Sequence, residues 1–327
     1  MLRRTFVALL ASAGLVSLAT SAHAETKEIN FGIISTEKSS NLKKVWDPFL
    51  ADMAKQTGLP VKGFFASDYA GVIEAMRFNK VQVAWFGNKS AMEAVDRSNG
   101  EIFAQSVDSK GNPGYWSHII VHKDSPFKTL DDVLKCDKSL DFGIGDPNST
   151  SGFLVPTTFI FSARNIDPKA CFKTVRNANH EANALAVANK LVNAAANNNE
   201  NLEWLKKTAP EKAAQIRTIW TSPLIPSDPL VWRKDLDDAT KKKIADFIFA
   251  YGTKDEAEKK VLAALQWAPF KKSDDNQLLP IRQMAVNKDI FKIRGDAKLS
   301  ADEKEKKIAP LQAQFEDLGK KIAAMTQ

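Results

Sequence analysis

The chain has 327 residues, 44% hydrophobic and 26% charged, a balance that suits a globular protein with room for two cores and excludes a disordered or fibrous chain. Its net charge is +7, from 46 basic and 39 acidic side chains. The excess is spread over lysine-rich surfaces such as Lys241, Lys242 and Lys243 or residues 304–307, without aromatic interleaving, so nucleic acid is not an expected partner.

Residues 1–24 read as a secretory signal peptide. Arg3 and Arg4 give a positive start, residues 6–19 are an apolar run too short to span a bilayer, and Ala22-His23-Ala24 is a small-residue cleavage pattern. Cleavage after Ala24, with no cysteine following for a lipid anchor, leaves a soluble exported chain whose charge falls to +5 with the loss of the two arginines. Next come a strand at 29–35, a helix at 43–56 carrying Val45, Phe49, Leu50 and Met53, a strand at 61–65, a helix at 70–78 and a strand at 81–86.

The same succession returns about 110 residues later, at 140–145, 152–164, 172–177, 181–189 and 191–196. Phe31-Gly32-Ile33 then falls on Phe142-Gly143-Ile144, and Asn79-Lys80 on Asn189-Lys190. Strands separated by helices predict parallel sheets with right-handed crossovers, hence two α/β lobes built on one plan. Residues 118–122 read as the first crossing strand and 226–233 as the return, while helix 236–251 presents Ile244, Phe247, Ile248 and Tyr251 to the first lobe. The expected division is lobe 1 at 25–117 plus 233–299, lobe 2 with the hinge strands at 118–232, and a C-terminal helix at 300–327. In that helix Ile308, Leu311, Phe315, Leu318, Ile322 and Met325 alternate at spacings of three and four, a heptad seam. It predicts packing on its own lobe or a homodimer, with Pro310 near the helix start.

Cys136 and Cys171 each precede a predicted strand of the second copy. Exported chains meet an oxidising compartment, and parallel neighbouring strands bring their leading ends within disulfide range. Two buried free thiols are the alternative.

Between the first strand of that copy and its helix lies Gly145-Asp146-Pro147-Asn148-Ser149-Thr150-Ser151-Gly152. One hydroxyl suffices to cap a helix, whereas three beside the amides of a helix N-terminus match a tetrahedral oxyanion. An N-cap followed by a polar loop accounts for the same residues. Pro156 removes a donor inside the helix, which predicts a late start or a kink. Tyr69 and His180 follow the second strand of each copy, Tyr115 precedes the first crossing strand, Glu200 follows the last strand of copy two, and Asp228 lies on the return. Ligands of open α/β sheets bind beyond the carboxyl ends of the strands, so one cleft can collect all eight.

Catalysis finds little support. A hydrolase would have to use Ser149 and His180 without a G-x-S-x-G elbow, no phosphate-binding G-x-x-x-x-G-K-[ST] loop is present, and no zinc-type ligand spacing occurs. Neither a metal nor a cofactor is expected.

The stretches DYAGVIEAMRFNKVQVAWFGNKSAMEAV, DFGIGDPNSTSGFLVPTTF, NHEANALAV and IPSDPLVW closely resemble the phosphonate-binding proteins of bacterial phosphonate ABC transporters, over essentially the whole mature chain. The resemblance implies a two-lobed type II periplasmic binding protein in which each lobe is a mixed, mostly parallel sheet flanked by helices, with two crossover strands as hinge. It also implies a periplasmic location and delivery of ligand to an inner-membrane permease. By the same resemblance Ser149, Thr150 and Ser151 hold the phosphonate group with Tyr69, Tyr115 and His180. Glu200 and Asp228 stand where members that take 2-aminoethylphosphonate bind its ammonium. Receptors for phosphate, phosphite or a sulfonate are the rivals within this class.

Overall fold

A computed structural model describes residues 28–325; the expected signal peptide and its cleavage point lie outside the described residues. Ile29–Ile33 runs parallel to Val61–Phe65 on one side and Val83–Trp85 on the other. Pro229–Arg233, Gly100–Asp108 and Trp267–Lys272 extend this sheet antiparallel, giving six strands. A second, five-stranded sheet repeats the plan. Asp141–Ile144 lies parallel between Thr174–Asn177 and Ala194–Asn198, and Ser117–His122 and Ile216–Thr221 close it antiparallel.

The duplicated Phe-Gly-Ile has a packing cause. A Cβ on Gly32 would lie 2.6 Å from Val72, and one on Gly143 would lie 2.5 Å from Asn183. Val72 belongs to helix Tyr69–Arg77 and Asn183 to helix His180–Ala188. In both copies of the repeated plan, therefore, the corresponding helix rests directly on the Phe-Gly-Ile strand, and only glycine admits it. The first lobe fills around Phe31, Trp46, Phe49 and Tyr251, the second around Phe142, Phe161 and Phe172.

The crossings lie slightly earlier than expected. Residues 118–122 and most of 226–233 are integral strands of the two sheets. The chain passes between sheets at Gly114–Tyr115 and Ile225–Pro226, which pair antiparallel with each other. A Cβ on Gly114 would come within 2.0 Å of the Ile225 carbonyl oxygen, so this two-residue ladder requires glycine there.

Pro156 neither delays nor interrupts its helix. The backbone widens into π-helix over Thr150–Leu154 and again over Thr157–Ser162, with i→i+5 bonds from Leu154 N–H to the Ser149 carbonyl (3.1 Å) and from Ala163 N–H to the Thr158 carbonyl (3.3 Å). Such widening is frequent at functional sites. The first helix, expected at 43–56, begins four residues sooner, at Ser39–Thr57. Cys136 and Cys171 form a disulfide at the leading ends of the paired parallel strands Asp141–Ile144 and Thr174–Asn177.

Pro310 is not near the start of the last helix but inside it, because the helix spans Ala301–Met325. Ser300 and Glu303 cap it reciprocally: Ser300 N–H donates to Glu303 Oε2 (2.8 Å) and Glu303 N–H donates to Ser300 Oγ (3.3 Å). Ile308, Leu311, Phe315 and Leu318 pack within the chain against Val286 and Ile290 of helix Leu279–Gly295. Among the described residues no helix is long and apolar enough to cross a membrane.

Candidate ligand-binding site

All eight predicted residues line one cavity between the two sheets. It offers about 80 Å³, well above the roughly 10–15 Å³ needed to admit a single water.

Ser149 is the N-cap of its helix: its Oγ accepts from Gly152 N–H at 3.0 Å. The N-cap reading of the hydroxyl run is thus met by one residue, and the remaining two hydroxyls are surplus to capping. Thr150 Oγ1 accepts from Lys89 N–H of the first lobe at 2.8 Å, and Ser151 Oγ accepts from Asn198 Nδ2 at 3.1 Å. Each hydroxyl has an acceptor side occupied by a fixed donor, which leaves its own O–H to donate toward an acceptor-rich guest.

Tyr69 and His180 occupy matching positions. Each is the first residue of the corresponding helix in its copy of the plan, directly after an Asp68 or Asn179 cap. His180 Nε2 lies 3.4 Å from both Ser149 Oγ and Ser151 Oγ. Burial pushes its pKa down to about 4, so the ring is neutral near pH 7. Burial, and then the nearby carboxylates, hold both Tyr69 and Tyr115 well above the usual phenol range.

Asp228 sits close to the hydroxyls, because Tyr115 reaches both Thr150 and Asp228. Burial raises Asp228 to about 7, an effect partly offset by Tyr115 and Trp85 beside it. Glu200, on the first turn of helix Asn199–Thr208, is raised well above its ordinary value by burial and then by Asp228. Asp228 Oδ1 and His180 Nδ1 are buried without a hydrogen-bond partner among the described residues.

The cavity also holds residues that were not singled out from the sequence. Glu37 follows the first strand of lobe 1, on the loop that corresponds to the hydroxyl run, so the same strand-end rule would have found it. Its carboxylate accepts from Asn201 Nδ2 (3.1 Å) and from the Thr36 hydroxyl, and burial lifts its pKa to about 7. Trp46, Trp85, Trp204 and Trp267 add an aromatic wall; no local sequence signal separates them from core tryptophans. Glu37, Glu200 and Asp228 are the only charged residues among those lining the cavity, and neither lysine nor arginine joins them.

Known proteins agree with this architecture. Residues 31–278 match the family described as the periplasmic phosphonate-binding component of ABC transporters. The phosphonates-binding periplasmic protein of Escherichia coli K12 is 55% identical over 95% of this chain and 93% of its own. The phosphate-import protein of Mycolicibacterium smegmatis is 33% identical, over 67% and 71%. A solved structure of the binding component of a phosphonate ABC transporter from Pseudomonas aeruginosa superposes with a TM-score of 0.89 at 55% identity, covering 93% of this chain and all of the other. The duplicated sheets, the shared cavity and these likenesses together make the chain a member of the periplasmic substrate-binding proteins of phosphonate ABC transporters, a non-enzymatic family.

Proposed function

We propose that this phosphonate-binding component captures 2-aminoethylphosphonate between its lobes and presents it to an inner-membrane permease. The observation that carries the reading is the cavity's polarity. Three hydroxyls with occupied acceptor sides, a neutral imidazole and a helix N-terminus favour a phosphonate, and two buried carboxyls in the same cavity favour an ammonium on that phosphonate. The phosphonate is held by Ser149, Thr150, Ser151, Tyr69, Tyr115 and His180, the ammonium by Glu200 and Asp228. With seven heavy atoms, this ligand suits the space available.

Inorganic phosphate is the second reading, favoured by the phosphate-import relative. It leaves the carboxyls unpaired and places an anion beside them, which is discrimination by repulsion. Calorimetry over a ligand panel tests the choice. The aminoethyl compound is expected to bind tightest, methylphosphonate weaker and phosphate weakest, with Glu200→Gln or Asp228→Asn narrowing the first gap by about tenfold or more. An unchanged gap removes the ammonium assignment. Export through residues 1–24 predicts a mature chain that starts at Glu25, which N-terminal sequencing checks. A homodimer through the last helix has the outer end of the seam left to it, Ile322 and the largely exposed Met325; sedimentation at rising concentration decides it.

A further inference from the structure

Helix Ser39–Thr57 of the first lobe has no N-terminal cap of its own. Its N-cap residue is Lys38, no side chain of its own segment bonds its first turn, and that turn carries no acid. Uncapped helix amides are left unpaired or find partners elsewhere. Here the partner belongs to the other lobe. Glu181 Oε2 accepts from Lys38 N–H at 2.7 Å, and its Oε1 accepts from Asn41 Nδ2 at 2.9 Å. Glu181 N–H also points to the Thr36 carbonyl at 3.4 Å. The carboxylate is buried between two helix N-termini, that of Ser39–Thr57 and that of its own helix, His180–Ala188, where both dipoles favour it.

We propose that Glu181 is the closing latch of the binding protein, a positioning residue that does not line the cavity but fixes the lobes around its contents. It directly follows His180, so one helical turn carries a ligand contact and the contact that completes the opposite lobe. Separation of the lobes strips the first helix of its cap, which slows ligand escape. The proposal rests on the reading above that ligand is captured between the lobes.

Stopped-flow tryptophan fluorescence with 2-aminoethylphosphonate separates the two rates. Glu181→Ala is expected to raise the dissociation rate about 10- to 100-fold and to change the association rate less than about threefold. Glu181→Gln, which keeps one acceptor oxygen, is expected to fall between. Asn41→Ala should show a smaller rise, and none when added to Glu181→Ala. Equal dissociation rates in Glu181→Ala and the unaltered protein overturn the latch, as does additivity of the two alanine substitutions. If Glu181→Ala does not fold, Glu181→Gln and Asn41→Ala decide by the same criteria. Failure of the unaltered protein to bind the compound instead removes the ligand assignment, and the tightest phosphonate of the panel then serves as probe.

Discussion

Asp228 illustrates how the site sets function against stability. Its carboxyl titrates near 3.8 in an unfolded chain and near 7 in the folded one, so the folded state binds the extra proton between those values. Stability from this group is complete below about pH 4 and is lost as pH rises toward 7. In ligand-free protein, Asp228→Asn should therefore melt with the unaltered chain near pH 4 and at least about 3 °C above it at pH 8, measured by calorimetry. A melting difference that does not depend on pH removes the buried-charge account. His180 works in the opposite direction: burial disfavours its protonated ring, so stability from it is present above about pH 6.5 and is lost as pH falls toward 4. The residues that bear this chemistry were legible because strand-end logic selects loops. Glu37 was overlooked because a lone acid beside Lys38 reads as solvated surface, and its burial depends on Thr36 from its own loop and Asn201 from the other lobe.

Among the elements, those with caps and periodicity in their own sequence were readable, and those completed from a distance were not. Helix His180–Ala188 announces itself through Asn179, which accepts from Ala182 N–H. Helix Ser39–Thr57 hides its first turn because its cap comes from residue 181. The last helix was readable nearly to its first residue, expected at 300 and observed at Ala301, but Pro310 lies inside it rather than near its start. Strands Gly100–Asp108 and Trp267–Lys272 escaped notice because their antiparallel pairing comes from chain far away in sequence. The disulfide is an element-scale constraint, since it ties the starts of two neighbouring parallel strands. Replacing both Cys136 and Cys171 with serine should lower unfolding free energy by about 3 kcal/mol, as measured by urea denaturation, with ligand affinity nearly unchanged because neither residue lines the cavity. A matching loss of affinity shows that the bridge also shapes the site.

For the molecule as a whole, duplication was the most legible feature, since it rests on packing that both copies must solve alike. The shared cleft was legible too, but the individual contacts that join the halves were not, because pairs such as Tyr69 N–H to Asp146 and Gln266 to the Glu200 carbonyl join residues with no sequence relationship. The Thr150–Lys89 hydrogen bond is one of these cross-lobe contacts, and under the proposed capture of ligand between the lobes it would give recognition an order in time. An arriving anion first meets a hydroxyl still free to rotate, so many oxyanions should enter at similar speed. Only after the shells come together is that rotor steered, and from then on chemically different guests differ in how long they stay. Selectivity in this receptor should accordingly be written in residence times, with encounter rates nearly alike across phosphonates and phosphate.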